Sequence, residues 1–296
     1  MTEADFIAAL RTLPLHPGAR GLADDAAVLD IGDTTLVLTH DMLVEGTHYL
    51  PSQDMADVAF RLVATNLSDL ASKGAEPLGV LVGHMLGAGD ARFVAGLHEA
   101  LAAFDTPLLG GDTVAGTGAR ALGLTAIGRA THRPVPARSG AQVGDGLFVT
   151  GTLGAAMLGF EALREEGKGG GGGGDSSAYR RPRPRLAQGR ALAPHVTAMM
   201  DVSDGLLLDA FRLAEASGVT LAVQSAAAPV AAPARRYDCL TWGDDYELLF
   251  TLPASIAKPP VPATPIGRVE PRGFVPLFVD GEPIANRAGL GYDHRG

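Results

Sequence analysis

The stretch from Asp54 to Gly74, "DMADVAFRLVATNLSDLASKG", constrains the fold most. Ala59, Leu62, Val63, Leu67, Leu70 and Ala71 recur at about 100° per residue, so they form one apolar arc of a long helix. Gly74 is a natural stop for it. Asn66 falls inside the arc and Asp69 at its edge. A buried polar side chain without a partner costs about 1–3 kcal/mol. Either these two side chains satisfy nearby backbone, or they face a polar site at the core margin. The flanks supply elements for the helix to pack on. "EPLGVLVGHML" (76–86) reads as a buried strand, 90–104 as a helix and "ALGLTAIGRA" (121–130) as another strand. This alternation predicts an α/β or α+β unit.

Upstream, residues 3–13 have the pattern of a short amphipathic helix. "AAVLDI" and "TTLVLTH" read as two strands around a Gly32-Asp33 turn, a hairpin signal. Asp25 precedes the first strand and Asp41 ends the second, so the hairpin brings them near each other unless both are solvated loop residues. Asp112 follows the double glycine Gly110-Gly111.

The prolines and small polar residues of 134–145 mark a boundary, giving domains over 1–137 and 138–296. "GLFVTG" reads as a strand and 155–163 as an apolar helix. Residues 167–177, with the Gly169 to Gly174 run, read as a flexible surface loop without chemistry. "RRPRPRLAQGR" is a basic patch, read as solvated rather than as a docking site.

In "AMMDVSDGLLLDAFRLAEASG" a strand (198–200, then Val202) runs into a helix that Ser203 is placed to cap. Open N–H groups and the positive helix end favour phosphate at such a junction. Asp201 and Asp204 repel phosphate, so they call for a cation between them and it. The bland reading is an ordinary helix start with acidic first-turn residues. "VTLAVQ" reads as a further strand, and "TWGDDYELLFTLP", "PIGRVEP" and "FVPLFVDG" follow it.

Composition narrows the function. The 296 residues are 46% hydrophobic, enough for two ordinary cores. No apolar run reaches bilayer-spanning length, the N-terminus is acidic and mixed, and one cysteine, Cys239, excludes an internal disulfide. These features suggest a soluble cytoplasmic protein that binds no membrane. The net charge of −9 argues against non-specific nucleic-acid binding, which needs a basic footprint. It is compatible with phosphate substrates if divalent metals invert the local field. Asp25, Asp41, Asp69, Asp112, Asp201 and Asp204 all sit at element ends or in glycine loops, as suits hard cations such as Mg²⁺. The chain has no GxxxxGK[ST] loop, no HExxH and no G-x-S-x-G.

Taken together, "ADDAAVL", "THDMLVEGTHYL", "ATNLSDLASKGAEP", "GGDT", "RSGAQVGDGLFVTG", "DVSDGLLLD", "GDDYELLFT", "IGRV" and "GYDH" resemble the thiamine-monophosphate kinases, in that family's order over residues 21–294. That family lies in the superfamily of aminoimidazole ribonucleotide synthetase. The resemblance implies transfer of the γ-phosphate of ATP to thiamine monophosphate, direct and in line, with several Mg²⁺ ions. It implies metal ligands at Asp25, Asp41, Asp69, Asp112, Asp201 and Asp204, with Thr39 and His40 beside them. It implies ATP contacts from Gly111, Asp112, Arg138 and Ser203. His48 would touch the thiamine phosphate, and Asp244 and Tyr292 would hold the thiamine moiety. The implied fold is a two-domain α/β (α+β) chain whose N-terminal sheet forms a barrel across a homodimer. The chain departs from the family pattern at Ala23, at His40 in place of a hydroxyl residue, at Trp242 in place of glycine, and at Asp244 in place of glutamate. The alternatives are a non-catalytic nucleotide-binding homologue and another ATP-dependent synthetase of the superfamily.

Overall fold

The computed structural model describes residues 2–167, 174–256 and 258–292. In the first half the elements are α1 (Glu3–Leu10), β1 (Ala27–Ile31), β2 (Thr34–Val44), α2 (Met55–Ser72), β3 (Ala75–Met85), α3 (Asp90–Ala103), β4 (Leu108–Val114) and β5 (Ala121–Ala130). The second half adds β6 (Gly146–Val149), α4 (Ala155–Glu166), α5 (Ser177–Arg180), α6 (Leu186–Leu192), β7 (Ala198–Asp201) and α7 (Leu206–Ser217). It closes with β8 (Thr220–Val223), α8 (Arg236–Thr241), β9 (Leu248–Leu252), β10 (Thr264–Glu270), β11 (Leu277–Val279) and β12 (Glu282–Ile284).

Among the described residues, the first half builds a five-stranded sheet in the order β1-β2-β5-β3-β4. The β1–β2 hairpin turns at Gly32-Asp33, as its sequence predicts. Strand β2 runs on to Val44, so Asp41 lies inside the strand instead of ending it. Asp112 likewise lies within β4 and not in a loop. The second half builds a seven-stranded sheet, β12-β11-β8-β10-β6-β9-β7. Pairing is mostly antiparallel, with β3–β4 and β8–β11 parallel. The α/β (α+β) expectation holds for both halves. Neither sheet closes on itself, and no barrel forms within one chain. Gly169 to Gly173 of the expected loop lie outside the described residues, as do the last two residues of "GYDH".

Helix α2 positions the site. Asp54 caps it, accepting the Ala56 N–H at 3.0 Å. All of its residues except Met55 and Asp69 are buried, including Arg61, Thr65, Asn66, Ser68 and Ser72. It ends at Gly74, whose φ of 60° admits the left-handed turn. Asn66 resolves one sequence question: its Oδ1 accepts the Asp41 N–H at 2.9 Å and its amide donates to the Leu62 carbonyl. It therefore serves backbone, and it pins Asp41 of β2 to the helix. The first core gathers Val58, Leu62, Val63 and Leu67 against Val37, Val80, Leu122 and Leu124. The second is built by β6–β9 with α7, through Leu147, Met200, Leu207, Phe211 and Leu249.

The basic patch is not solvated as expected. Arg180 and Arg181 pair with the buried Asp57 of α2 at 2.8 and 2.7 Å, and Arg185 pairs with the buried Glu247. Burial of those acids, unreadable from the local sequence, draws the arginines inward.

Close helix packing makes a test. A Cβ at Gly96 of α3 would meet the Ala56 carbonyl oxygen at 2.1 Å. Alanine gains up to about 1 kcal/mol in helix propensity over glycine. Forcing α3 off α2 costs typically about 1–3 kcal/mol. Gly96→Ala is therefore expected to lower the urea midpoint; a higher midpoint would mean that the helices separate without loss.

Candidate active site

One cleft of about 830 Å³ lies where the two halves meet. Three segments converge on it. The β7–α7 junction supplies Asp201, Ser203 and Asp204. The loop 243–246 docks on that junction: the Asp244 N–H donates to the Ser203 carbonyl at 2.7 Å and the Tyr246 N–H to that of Val202 at 2.9 Å. The Tyr292 N–H donates to the Asp204 carbonyl at 2.9 Å. Asp244 and Tyr246 hold φ of 59° and 52°, a left-handed conformation costing about 1–3 kcal/mol each in non-glycine residues. Such strain persists only where the surroundings impose it.

One end of the cleft is acidic. Asp25, Asp41, Asp69 and Asp201 face it, with Ser203, Asp204 and Arg138 at its side. Thr39 lies behind, donating its hydroxyl to Asp69. Asp201 accepts from Ser68 Oγ at 2.5 Å. Burial, then the charges of Asp41, Asp201 and Asp25, push the Asp69 carboxyl well above the usual range. Burial and the Asp25 charge do the same to Asp201. Burial alone would raise Asp25 too, but the Lys73 ammonium and the Arg138 guanidinium overcome it and hold it below the usual range.

The other end is aromatic. Phe160 lies 5.1 Å from Tyr179 and 5.3 Å from Trp242 between ring centroids, and His48 lies 6.5 Å from Tyr292. Arg61 stacks over Tyr179 at 4.0 Å and pairs with Asp244 at 2.8 Å. Tyr246 donates its hydroxyl to the other Asp244 oxygen at 3.0 Å.

The structure thus brings Asp25, Asp41, His48, Asp69, Arg138, Asp201, Ser203, Asp204, Asp244 and Tyr292 to one cleft. His40, Gly111 and Asp112 stand apart from it. Alternation along β2 points Thr39 and Asp41 toward α2 and His40 away, where its Nδ1 meets Thr125 Oγ1 at 2.9 Å. Asp112 is exposed on β4, in the row Met42–Gly123–Gly83–Asp112, so about 14 Å of sheet separates it from β2. Ser203 does not cap α7. The cap is Gly205, and the Ser203 and Asp204 N–H groups donate to Asp209, both at 3.2 Å. That buried carboxylate, six and five residues ahead, holds the N–H groups of the junction itself, and among the described residues no side chain caps α7.

Arg61 and Lys73 escaped the sequence reading. They share a stripe with Thr65 and Asp69 at four-residue steps, a polar repeat that the apolar arc conceals. Phe160, Tyr179 and Arg212 carry no local signal, and Trp242 stands out only as a departure from the family pattern.

Two family models match the chain: AIR synthase related protein, N-terminal domain, over residues 23–130, and its C-terminal domain over residues 142–279. The thiamine-monophosphate kinase of Caulobacter vibrioides is 39% identical over 277 residues, 84% of this chain and 76% of that protein. That of Salmonella typhimurium is 34% identical, covering 93% of this chain and 91% of that protein. The chain belongs to the thiamine-monophosphate kinase family. The solved structure of AaThiL complexed with AMPPCP and TMP superimposes with a TM-score of 0.84 at 28% identity, covering 99% of this chain and 97% of that one. A HypE–HypF complex matches with a TM-score of 0.74 at 16% identity, which bears on the fold alone. Among the described residues no helix is long and apolar enough to cross a membrane.

Beside the cleft, Asp245 accepts the Gly154 N–H at 2.9 Å. Burial, aided by the Glu247 and Asp244 carboxylates, pushes it up to about 8 against the N–H groups of Gly154 and Ala156. From about pH 4 to about pH 8 the folded chain keeps a proton that the unfolded chain has released, so stability falls as pH rises through that window. Asp245→Asn should flatten this slope in urea midpoints taken from pH 5 to pH 8.5 (approximate settings spanning the window). An unchanged slope would assign the pH dependence to other groups.

Proposed function

We propose that this chain transfers the γ-phosphoryl group of ATP to thiamine monophosphate, yielding thiamine diphosphate and ADP. The observation that carries the reading is the two-ended cleft, with carboxylates at one end and aromatics around an acid at the other. The bond that forms joins a phosphate oxygen of thiamine monophosphate to the γ-phosphorus. The bond that breaks joins that phosphorus to the β,γ-bridging oxygen, and ADP carries the electron pair away. Such a reaction asks for positioning and charge neutralisation rather than a covalent nucleophile.

The acidic end fits Mg²⁺. Asp69 and Asp201 are hydrogen-bonded to hydroxyls, and no ammonium or guanidinium pairs with either among the described residues. Among the described residues no three His, Cys, Asp or Glu side chains form a ready metal group, so the fit rests on the kind of donor, carboxylate oxygen, which is what Mg²⁺ takes. Asp41, Asp69 and Asp201 would hold it, with Thr39 and Asp204 at the margin. Bound there, Mg²⁺ would supply positive charge to offset the repulsion between two anionic substrates.

The chain's own groups do the rest. Arg138 presents a buried Nε without a protein partner beside Ser203, suited to a nucleotide phosphate. Asp244, fixed at both oxygens by Arg61 and Tyr246, offers a negative charge to a cationic thiazolium ring. Trp242, Phe160 and Tyr292 offer ring faces, and His48 stands where the acceptor phosphate would lie.

Asp112 and Gly111 enter this reading through a homodimer. Strand β4 is exposed along its length, and Leu81, Leu108, Leu109 and Val114 leave an apolar surface around it. A second copy packed there would bury this surface and carry the partner subunit's Asp112 toward the carboxylates.

Two outcomes test the reading. ADP release should require both Mg²⁺ and thiamine monophosphate, and Asp69→Asn should lower kcat on the order of 10²-fold or more. ADP release indifferent to the acceptor would sink the assignment. Co-expressed Asp69→Asn and Asp112→Asn chains, each inactive alone, should recover about one quarter of wild-type activity if each site draws on two subunits. No recovery would place both residues in one subunit's site.

A further inference from the structure

We infer that the Lys73 ammonium stands where a divalent ion would otherwise bridge Asp24 and Asp25. Asp25 is then a structural counter-ion, and the metals of the proposed reaction gather on Asp69 and Asp201 with Asp41. The inference rests on the metal-dependent kinase reading and changes which carboxylates serve it.

Lys73 is fully buried at the end of α2. Its Nζ lies 2.6 Å from Asp24 Oδ1, 2.6 Å from Asp25 Oδ2 and 3.2 Å from the Met199 carbonyl. An ammonium has three N–H groups, and all three are spent. The remaining capacity of the two acids is also taken. Asp25 Oδ2 accepts from Ser72 Oγ at 3.0 Å, and its Oδ1 pairs with Arg138. Asp24 Oδ2 pairs with Arg20 at 2.5 Å, and its Oδ1 also accepts the N–H groups of Asp25 and Arg138.

Charge leads to the same conclusion. Two carboxylates face three cations here, so the Asp24–Asp25 group is already compensated by the protein. A divalent ion would meet like charge and would have to displace a buried ammonium to reach an oxygen. Mg²⁺ also demands oxygen ligands at about 2.0–2.1 Å in near-octahedral array, and both oxygens of Asp25 already have partners. Asp69 and Asp201 present the opposite case, with hydroxyl partners only. The bond to Met199 of β7 gives the ammonium a second task that a solvated ion could not perform. It ties the end of α2 to the other half of the molecule.

Tightly bound Mn²⁺ counted by electron paramagnetic resonance, on the full chain without nucleotide, tests this. Asp25→Asn is expected to bind as many ions as wild type, Asp69→Asn fewer, and Lys73→Met one more. If Asp25→Asn loses as many ions as Asp69→Asn, the inference is overturned. A folded Lys73→Met with an unchanged count overturns it as well. Should Lys73→Met fail to fold, the two aspartate variants decide. Wild type that binds no Mn²⁺ removes the metal reading itself along with the inference. Wild type that binds Mn²⁺ while Asp25→Asn does not removes the inference alone.

Discussion

Charge carried into the interior by α2 is the constraint on which the rest of the structure depends. Arg61, Asp69 and Lys73 lie on one stripe of a helix whose remaining surface is packed in core. An isolated ion cannot be buried without heavy cost, so each needs partners that only tertiary structure supplies. Arg61 finds Asp244, Lys73 finds Asp24, Asp25 and Met199, and Ser68 finds Asp201. Several of these partners belong to the second half of the chain. Docking of the halves and assembly of the cleft are therefore the same event. A buried ion pair adds little net stability, but losing one partner is expensive, so the pairs select one arrangement over others.

The loop 243–246 shows how that arrangement fixes substrate-side geometry. Its left-handed residues are held by backbone bonds to Val202 and Ser203, and Asp244 is gripped at both oxygens. Burial disfavours the Arg61 charge, yet Asp244, Tyr246 and Tyr179 more than offset it and keep the guanidinium ionised. A shorter acid at this position thus comes with a fixed cation reaching from α2. The backbone bonds, Arg61 and Tyr246 together set where the Asp244 carboxylate stands.

Local signals made the elements legible. The Gly32-Asp33 turn, the α2 arc and the Gly74 stop all appear where their residues require them. Periodicity did not reveal what depends on distant partners. The arginines of "RRPRPRLAQGR" look solvated until Asp57 and Glu247 are seen buried beside them. Ser203 looks like a cap until α7 is seen to start at Gly205, with Asp209 folded back onto the N–H groups of Ser203 and Asp204. Phe160 and Tyr179 come from α4 and α5, and only the fold sets Phe160 between Tyr179 and Trp242. Asp41 was readable as a candidate because the hairpin sets it near Asp25, and Asp69 because it sits at the edge of the apolar arc. Lys73 gives no such cue, because a lysine at a helix end reads as solvated.

An acidic chain that handles anions has to keep some carboxylates uncompensated and others neutral. The division here runs between neighbours. Asp24 and Asp25 are answered by Lys73, Arg20 and Arg138, whereas among the described residues Asp69 and Asp201 have hydroxyl partners and the repulsion of nearby carboxylates, Asp25 and Asp41 on both. Burial, with that repulsion, lifts both carboxyls well above their usual range, whereas the ammonium 2.6 Å from Asp25 holds that acid below it and also ties α2 to the Met199 carbonyl of the other half.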